Sequence, residues 1–216
     1  MPRALLLLPL LLAACGDTTA GDILRASLLL PPRAPSEAEA LQPPPEGLPP
    51  TAESMPERPA LSVAVGSRRT TATLLQQNGE QRLWRSGSGL VVGTDGARVV
   101  ATAGLPTWVA ATRLDGPDPL DDPLALVERP ATLRRSVDLM RSDRSPEHMR
   151  FGLSLECRLR AVPTAEALIV EERCGGGASF TNRYWAVPDT GSIWRSEQWV
   201  GGTEPMVVEV IVPPAS

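Results

Sequence analysis

Cys15 has the sequence surroundings of a residue that is chemically modified. It ends the string LAAC at residues 12–15, which matches the bacterial lipobox and follows an apolar run over residues 4–12. That run is far shorter than the roughly 20 residues needed to cross a bilayer, so residues 1–14 are predicted to be a signal peptide. We expect cleavage before Cys15 and acylation of its sulfur and its new amino group, because two or more acyl chains give a stable membrane anchor.

The residue after Cys15 indicates the destination of such a lipoprotein. Sorting usually retains lipoproteins with Asp at this position in the inner membrane, but here the position is Gly16, and Asp17 follows it. We therefore expect the protein to lie at the periplasmic leaflet of the outer membrane. Its lipid anchor would make the membrane a binding partner. An ordinary secretory signal followed by a chance cysteine is the alternative.

Cys157 and Cys174 are the remaining cysteines. In an oxidising compartment they are expected to pair, and closing a loop of about 17 residues would stabilise the fold by about 3 kcal/mol. The alternatives are two buried free thiols, or a metal site that adds the sole histidine, His148. A structural zinc site normally has four ligands, so we predict no metal.

Residue types that support hydrolytic chemistry are sparse. With one histidine, the sequence offers no plausible Ser-His-Asp arrangement. Glu171 and Glu172 form a carboxylate pair, but adjacent residues of a strand point to opposite faces, so they cannot flank one glycosidic bond. We assign no catalytic residue and predict a non-enzyme without a cofactor.

Four aspartates, Asp115, Asp118, Asp121 and Asp122, lie in the segment 114–130. Calcium prefers carboxylate oxygens, but the cluster lacks the ordered ligand spacing of an EF-hand loop. We therefore interpret these side chains as part of a solvated loop.

Aromatic side chains gather near the C-terminus: five of the eight lie in residues 174–199. This stretch has the pattern of a β-hairpin, with strands over residues 179–187 and 192–200 and turn-forming residues between them. Flat rings beside guanidinium groups suit sugar faces and hydroxyls, but they also suit a folded sheet. The candidate binding residues are Arg183, Tyr184, Trp185, Trp194, Arg195 and Trp199.

Alternation along each strand divides the hairpin into two sets of side chains. One set contains Arg183, Trp185, Trp194 and Gln198, and the other contains Asn182, Tyr184, Arg195 and Trp199. We expect one set to be buried and the other to be available to a glycan or a partner, or to be covered by the N-terminal strands. Arg183 and Arg195 are expected to serve folding at least as much as binding, because Arg stacks on aromatic rings.

Short strands separated by turns account for most of the remaining chain. Asn78-Gly79 and Asp95-Gly96 are strong hairpin signals, and residues 151–159 alternate apolar and polar side chains with Cys157 on the apolar face. Strands are expected over residues 61–65, 70–77, 80–85, 90–93, 97–102, 133–139, 151–159, 167–174, 179–187, 192–200 and 206–212. Residues 105–113 are ambiguous, a helical turn is expected over 124–128, and the three glycines at 175–177 are interpreted as a flexible connection. The fold class is all-β, with mainly antiparallel strands in a twisted, barrel-like single domain.

A proline-rich segment precedes this domain. Residues 31–59 contain 10 of the 23 prolines, a composition that buries too little apolar surface to fold. We expect a signal peptide over residues 1–14, a lipidated cysteine and tether over 15–60, and one β-rich domain over 61–216. The net charge of −4 gives no electrostatic footprint for nucleic acid.

Several strings of this sequence resemble the GfcB/YjbF family of lipoproteins, which are associated with group 4 capsule and exopolysaccharide production. They are the lipobox, Trp84-Arg85-Ser86, the paired cysteines, SFTNRYW at residues 179–185 and IWRSEQWVG at 193–201. The likeness is best over residues 150–203 and weaker over 80–105, and the segment 31–59 departs from it.

The resemblance implies an envelope lipoprotein that takes part in polysaccharide secretion or assembly, with polysaccharide or polysaccharide-export proteins as partners. The leading hypothesis is a non-catalytic accessory factor. A polysaccharide-binding module that uses exposed Trp and Arg is the alternative, and a glycan-acting enzyme is a third. An exposed Trp platform would favour the second, and a cleft with two carboxylates about 5–10 Å apart would favour the third.

Overall fold

The computed structural model describes residues 58–143 and 145–214, so the predicted signal peptide, Cys15 and nearly all of the tether lie outside the described residues. Within those ranges the chain is built almost entirely of β-strands, as predicted. The strands are β1 Ala60–Val65, β2 Arg68–Asn78, β3 Gln81–Ser86, β4 Val91–Asp95, β5 Arg98–Ala103, β6 Thr107–Asp115, β7 Ala131–Arg141, β8 Arg150–Pro163, β9 Leu168–Gly176, β10 Phe180–Ala186, β11 Ile193–Gln198 and β12 Met206–Val212. Between β6 and β7 lie a 3₁₀ turn, Pro119–Asp121, and a short helix, α1 Ala125–Glu128; a second 3₁₀ turn, Pro146–His148, precedes β8.

All twelve strands belong to one antiparallel sheet. Two up-and-down meanders, β1–β5 and β6–β12, are joined side by side where β1 pairs with β12. The outermost strands of the sheet are β5 and β6, which are consecutive in sequence, and Val109 N donates to Thr102 Oγ1 across them at 3.1 Å. The sheet is therefore a nearly closed barrel, which leaves little edge exposed to other chains.

The turn chemistry predicted both N-terminal hairpins correctly. Asn78 ends β2 and pairs with Gln81, and Asp95 ends β4 and pairs with Arg98. The two-residue turns are therefore Gly79-Glu80 and Gly96-Ala97, with φ of 57° at Gly79 and 54° at Gly96. Such left-handed conformations are what two-residue hairpin turns require. The ambiguous segment 105–113 is strand β6, and its pattern is irregular because the pairing with β7 shifts between Val109 and Ala111.

Strand alternation divides the side chains between the inside and the outside of the barrel. In β8, Leu153, Leu155, Cys157 and Leu159 are buried, whereas the residues between them are exposed. Apolar residues on the inner face of nearly every strand form one continuous core, which also includes Leu120 and Leu126 of the β6–β7 connection. This burial of alternate residues is what a sheet with one face turned inward produces.

The glycines at 175–177 were expected to form a flexible connection, and this prediction is wrong. Gly176 is the last residue of β9 and has a φ of 109°, and a Cβ there would lie 2.8 Å from the backbone oxygen of Ser154. At Gly177, a Cβ would lie 2.4 Å from Cδ1 of Leu153. Both positions are glycine because β8 approaches too closely for a side chain.

Over the described residues, the structure contains no helix with the length and apolar character needed to cross a membrane.

Candidate functional site

Arg98, at the start of β5, is the centre of a polar cluster inside the barrel. Its Nε and Nη2 donate to the two carboxylate oxygens of Asp118, at 2.5 and 2.9 Å. Its Nη1 donates to both oxygens of Glu172 in β9, at 2.9 and 3.1 Å. The side chains of Arg98 and Glu172 are fully buried, and that of Asp118 is 11% exposed. One guanidinium therefore neutralises two carboxylates, and all three of its nitrogens are hydrogen-bonded.

Amides and a phenol complete the hydrogen bonding of this cluster. Asn182 Nδ2 donates to Glu172 Oε2 at 2.6 Å, and the Tyr184 hydroxyl lies 3.2 Å from the same oxygen. Gln198 accepts from the backbone N–H of Val99 at 2.9 Å. The same side chain donates to the carbonyl of Ala97 at 2.8 Å, so Gln198 ties β11 to β5. Buried polar groups with this degree of pairing make a core rigid and specific.

The cluster keeps its carboxylates ionised. Burial by itself would raise the pKa of Glu172, but the charges of Arg98 and Arg135 and the hydrogen bond from Asn182 leave that pKa below its ordinary value. Burial also acts to raise the pKa of Asp118. The ion pair with Arg98 and the hydrogen bond from the backbone N–H of Leu120 outweigh that effect, so this pKa is lowered too. Burial and the neighbouring carboxylate raise the pKa of the Tyr184 hydroxyl, which stays protonated.

Arg135 connects this cluster to the disulfide bond. Its Nη2 lies 3.7 Å from Glu172 Oε2 and 3.7 Å from the sulfur of Cys174, and its guanidinium carbon lies 5.4 Å from the centre of the Phe180 ring. Burial lowers the pKa of Arg135, and the nearby Arg98 acts in the same direction, while Glu172 opposes them. The expected bond between Cys157 and Cys174 is present, and it joins directly paired residues of β8 and β9.

The disulfide lies beside Glu172, so the two sulfurs and one carboxylate oxygen are within 4.8 Å of one another. With the sulfurs bonded to each other, they are not available as thiolate ligands. His148 lies in the exposed turn before β8, where its Nδ1 is 2.7 Å from Asp143 Oδ2. The structure thus assigns the two cysteines to a structural bridge.

Asp118 corrects one expectation. The aspartates of the segment 114–130 were expected to belong to a solvated loop, but Asp118 turns inward and binds Arg98. It also caps the 3₁₀ turn by accepting from the N–H of Leu120 at 3.0 Å. The connection between β6 and β7 is therefore fastened to the barrel interior by an ion pair.

The predicted separation of Glu171 and Glu172 is confirmed. Glu172 points into the barrel, whereas Glu171 lies on the outer face near Arg160 and Arg173. These two carboxylates face away from each other and do not share a cleft.

The two sets of hairpin side chains proposed from the sequence are correct along β10 but wrong along β11, where Trp194 does not share the buried face of Gln198, and wrong across the two strands. Trp185 pairs directly with Arg195, and Tyr184 with Ser196, so Trp185 and Arg195 share the outer face. The register differs from the expected one because the pairing shifts next to Trp185, which leaves Trp194 as an extra residue in β11. The inner, buried members are Asn182, Tyr184 and Gln198.

On the outer face, Arg195 stacks on Trp185, with its guanidinium carbon 4.9 Å from the ring centre. The same guanidinium binds Glu209 and Glu197, each at 2.9 Å. Trp199 stacks on Phe180 at 4.4 Å between ring centres, and Arg183 is exposed. The candidate binding residues thus divide among the interior, the outer face and the barrel rim, and they do not form one platform.

Trp194 occupies the rim, where a groove of about 790 Å³ opens at one end of the barrel. We call it the mouth groove; the lining residues relevant to its chemistry are Glu80, Arg82, Trp84, Asp121, Asp122 and Trp194. Its floor includes Trp84, whose Nε1 donates to Thr94 Oγ1 at 3.1 Å. The mouth groove lies between the β2–β3, β4–β5 and β10–β11 turns and the β6–β7 connection.

The chemistry available in the interior is charge neutralisation rather than proton transfer. A glycosidase needs one carboxylic acid whose pKa is raised so that it can protonate the leaving group. Glu172 and Asp118 have lowered pKa values and are bound to Arg98. The arrangement stabilises the fold and the position of the β6–β7 connection.

Comparison with known proteins places the chain in a family. No curated protein matches it. Its fold is similar to that in the crystal structure of the hypothetical lipoprotein YmcC from Escherichia coli (K12), with a TM-score of 0.61, 19% sequence identity, and coverage of 93% of this chain and 100% of that one. The family model for the group 4 capsule polysaccharide lipoprotein GfcB, YjbF, matches residues 51–209. This match spans most of the sequence and agrees with the resemblance of its motifs, so the chain belongs to the YjbF family of lipoproteins associated with capsule polysaccharide production.

Proposed function

We propose that the protein is a lipid-anchored, non-catalytic accessory factor in the secretion or assembly of a capsule polysaccharide or exopolysaccharide. The observation that carries the proposal is the family match over residues 51–209, together with an interior whose carboxylates are paired with arginine. A buried ion network of this kind specifies and stabilises a scaffold.

The proposed organisation of the chain follows from the sequence. Residues 1–14 are the signal peptide, residues 15–60 are the lipidated Cys15 and the proline-rich tether, and residues 61–216 are the β-rich domain. Extended proline-rich chain spans about 3.1 Å per residue, so the tether lets the domain act several tens of ångströms from the membrane. Gly16 supports placement in the periplasmic leaflet of the outer membrane.

The non-catalytic role is supported by the state of the inner carboxylates. Asp118 and Glu172 are ionised and held by Arg98, and neither has the raised pKa of a general acid. Incubating the purified protein with the polysaccharide of a producing strain should leave the chain-length distribution unchanged. Shortening that disappears in Asp118→Asn, or in Asp121→Asn at the groove carboxyl whose pKa burial raises, would contradict this role.

The secretion role is tested by deleting the gene in a producing strain. We expect extracellular polysaccharide to fall severalfold while the cells still make its precursors, and the native gene to restore it. Unchanged extracellular polysaccharide in the deletion strain would overturn the proposed function.

A further inference from the structure

Trp194 differs from the other aromatic residues of the hairpin in its surroundings. It lies two residues before Ser196 and four before Gln198, both of which are buried on the inner face. Trp194 is nevertheless 45% exposed, because the extra residue in β11 displaces it to the rim. A large exposed ring beside a groove of about 790 Å³ is a feature of ligand sites, which are commonly 300–1,000 Å³.

The mouth groove also contains a hydrogen-bond donor without a partner. Arg82 is 12% exposed at its side chain and binds Glu80 through Nη2 at 3.1 Å. Its Nε is buried and, among the described residues, has no hydrogen-bond partner. Because that atom is closed off from solvent, a ligand oxygen can accept from it only after the Arg82 side chain turns outward, so it is not counted as a ligand contact.

The charges around the mouth groove determine which ligands it accepts. Glu80, Asp121 and Asp122 line it, as do two arginines that are already paired, Arg82 with Glu80 and Arg195 with Glu197 and Glu209. Burial raises the pKa of Asp121, and the negative charges of Asp118, Asp95 and Glu80 raise it further. An anionic ligand would be repelled by this excess of negative charge, whereas the hydroxyl groups of a neutral ligand would donate hydrogen bonds to the carboxylates.

We propose that the mouth groove binds a neutral segment of a polysaccharide, with one sugar ring packed on Trp194. The apolar C–H face of a pyranose fits a flat indole ring, and the acidic rim accepts from sugar hydroxyls. This inference rests on the proposed function in polysaccharide secretion, and it assigns to that function a direct contact with the glycan.

Affinity electrophoresis of the full chain tests the inference, with dextran and galactomannan as neutral probes and alginate as the anionic probe. We expect at least one neutral polymer to retard the native protein and alginate not to do so. Trp194→Ala should weaken the retardation at least tenfold in apparent Kd. Trp108→Ala is the matched control, since that ring lies in β6 and does not line the mouth groove, and it should bind as the native chain does.

Three results would overturn the inference. The first is no retardation by either neutral polymer, and the second is retardation by alginate alone. The third is an equal loss of binding in Trp108→Ala and Trp194→Ala. A fourth comes from acrylamide quenching. If native protein and Trp194→Phe show equal quenching, Trp194 is covered by another part of the chain, and the mouth groove is not a glycan site.

Failure of this inference can be told apart from failure of the proposed function. Trp194→Ala is expected to lower extracellular polysaccharide when it replaces the native gene. If deletion abolishes secretion and Trp194→Ala restores it fully, the glycan site is wrong and the accessory role remains. If deletion has no effect, the accessory role itself is wrong.

Discussion

Arg98 and Glu172 form a fully buried ion pair, with Arg98 Nη1 2.9 and 3.1 Å from the two carboxylate oxygens, although 74 residues separate them in sequence. Arg98 belongs to β5 in the first meander, and Glu172 to β9 in the second. The pair therefore connects two halves of the barrel whose edge strands, β5 and β6, lack a backbone ladder among the described pairings. Asp118 adds the β6–β7 connection to the same guanidinium.

Removing the cation should destabilise the fold strongly. Arg98→Met leaves the carboxylate of Asp118 without its bound counter-ion and leaves Glu172 with only Arg135, 3.7 Å away, and breaking a buried pair in this way costs about 3–5 kcal/mol. Urea unfolding of the purified protein measures the change. The triple variant Arg98→Met, Asp118→Asn, Glu172→Gln should recover part of the loss, because the two inner carboxylate charges are also removed. Recovery is partial because buried Arg135 then loses its partner Glu172.

Arg134→Met is the matched control for Arg98→Met. Arg134 pairs with Glu156 at 3.1 Å on the outer face, where both side chains are 72% exposed. Exposed pairs contribute about 0–1 kcal/mol, so this variant should unfold nearly as the native protein does. Equal losses in Arg98→Met and Arg134→Met would contradict the special role of the interior network.

Acid should weaken the native protein more than the triple variant. The pKa values of Glu172 and Asp118 are lowered in the folded state, so their stabilising effect is complete above the unfolded values of about 4 and is lost as the pH falls toward the folded values. We expect the difference in unfolding free energy between the two proteins to shrink from pH 7 to pH 3. A constant difference over that range would show that the inner carboxylates are not coupled to folding.

Reduction of the disulfide should lower stability without changing the fold class. The bond between Cys157 and Cys174 closes 17 residues, and in the chain-entropy model such a loop contributes about 3 kcal/mol. The double variant Cys157→Ser, Cys174→Ser should therefore unfold at lower urea concentration than the oxidised protein. Thiol counting under denaturing conditions is the direct check: two reactive thiols in protein purified from the periplasm would refute the bond.

Gly176→Ala should be far more damaging than Gly175→Ala. Gly176 has a φ of 109°, which strains any other residue. A Cβ added at this position would lie 2.8 Å from the backbone oxygen of Ser154, so alanine would also clash. Strained backbone of this kind costs about 1–3 kcal/mol. A Cβ at Gly175 meets nothing within 4 Å, and melting temperatures of the two variants give the comparison. Equal melting would restore the interpretation of a flexible connection.

Local patterns predicted the strands well because each depends on neighbours in sequence. The alternation of residues 151–159 and the Asn78-Gly79 turn correspond to β8 and the β2–β3 hairpin. Strand β6 was ambiguous because its irregular pairing at Val109 and Ala111 breaks the alternation that identifies a strand.

The interior network was not predictable in the same way. Arg98 follows a turn signal and has the sequence surroundings of a surface residue, and its partners are 20 and 74 positions away. The alternation of Glu171 and Glu172 indicated that one of them faces inward, but the cation that compensates it depends on closure of the barrel. The cross-strand register of β10 and β11 likewise depends on one extra residue, Trp194, that alternation within a strand does not reveal.

The central claim is that the protein takes part in polysaccharide secretion while the lipid on Cys15 anchors it in the membrane. The most direct measurement is the extracellular polysaccharide of a deletion strain that carries either the native gene or Cys15→Ser, with palmitate labelling of both products. The account predicts that the native protein is labelled and restores secretion, whereas Cys15→Ser is unlabelled and leaves secretion severalfold lower at equal protein level. Full secretion with an unlabelled Cys15→Ser protein, or equal labelling of both, would contradict it.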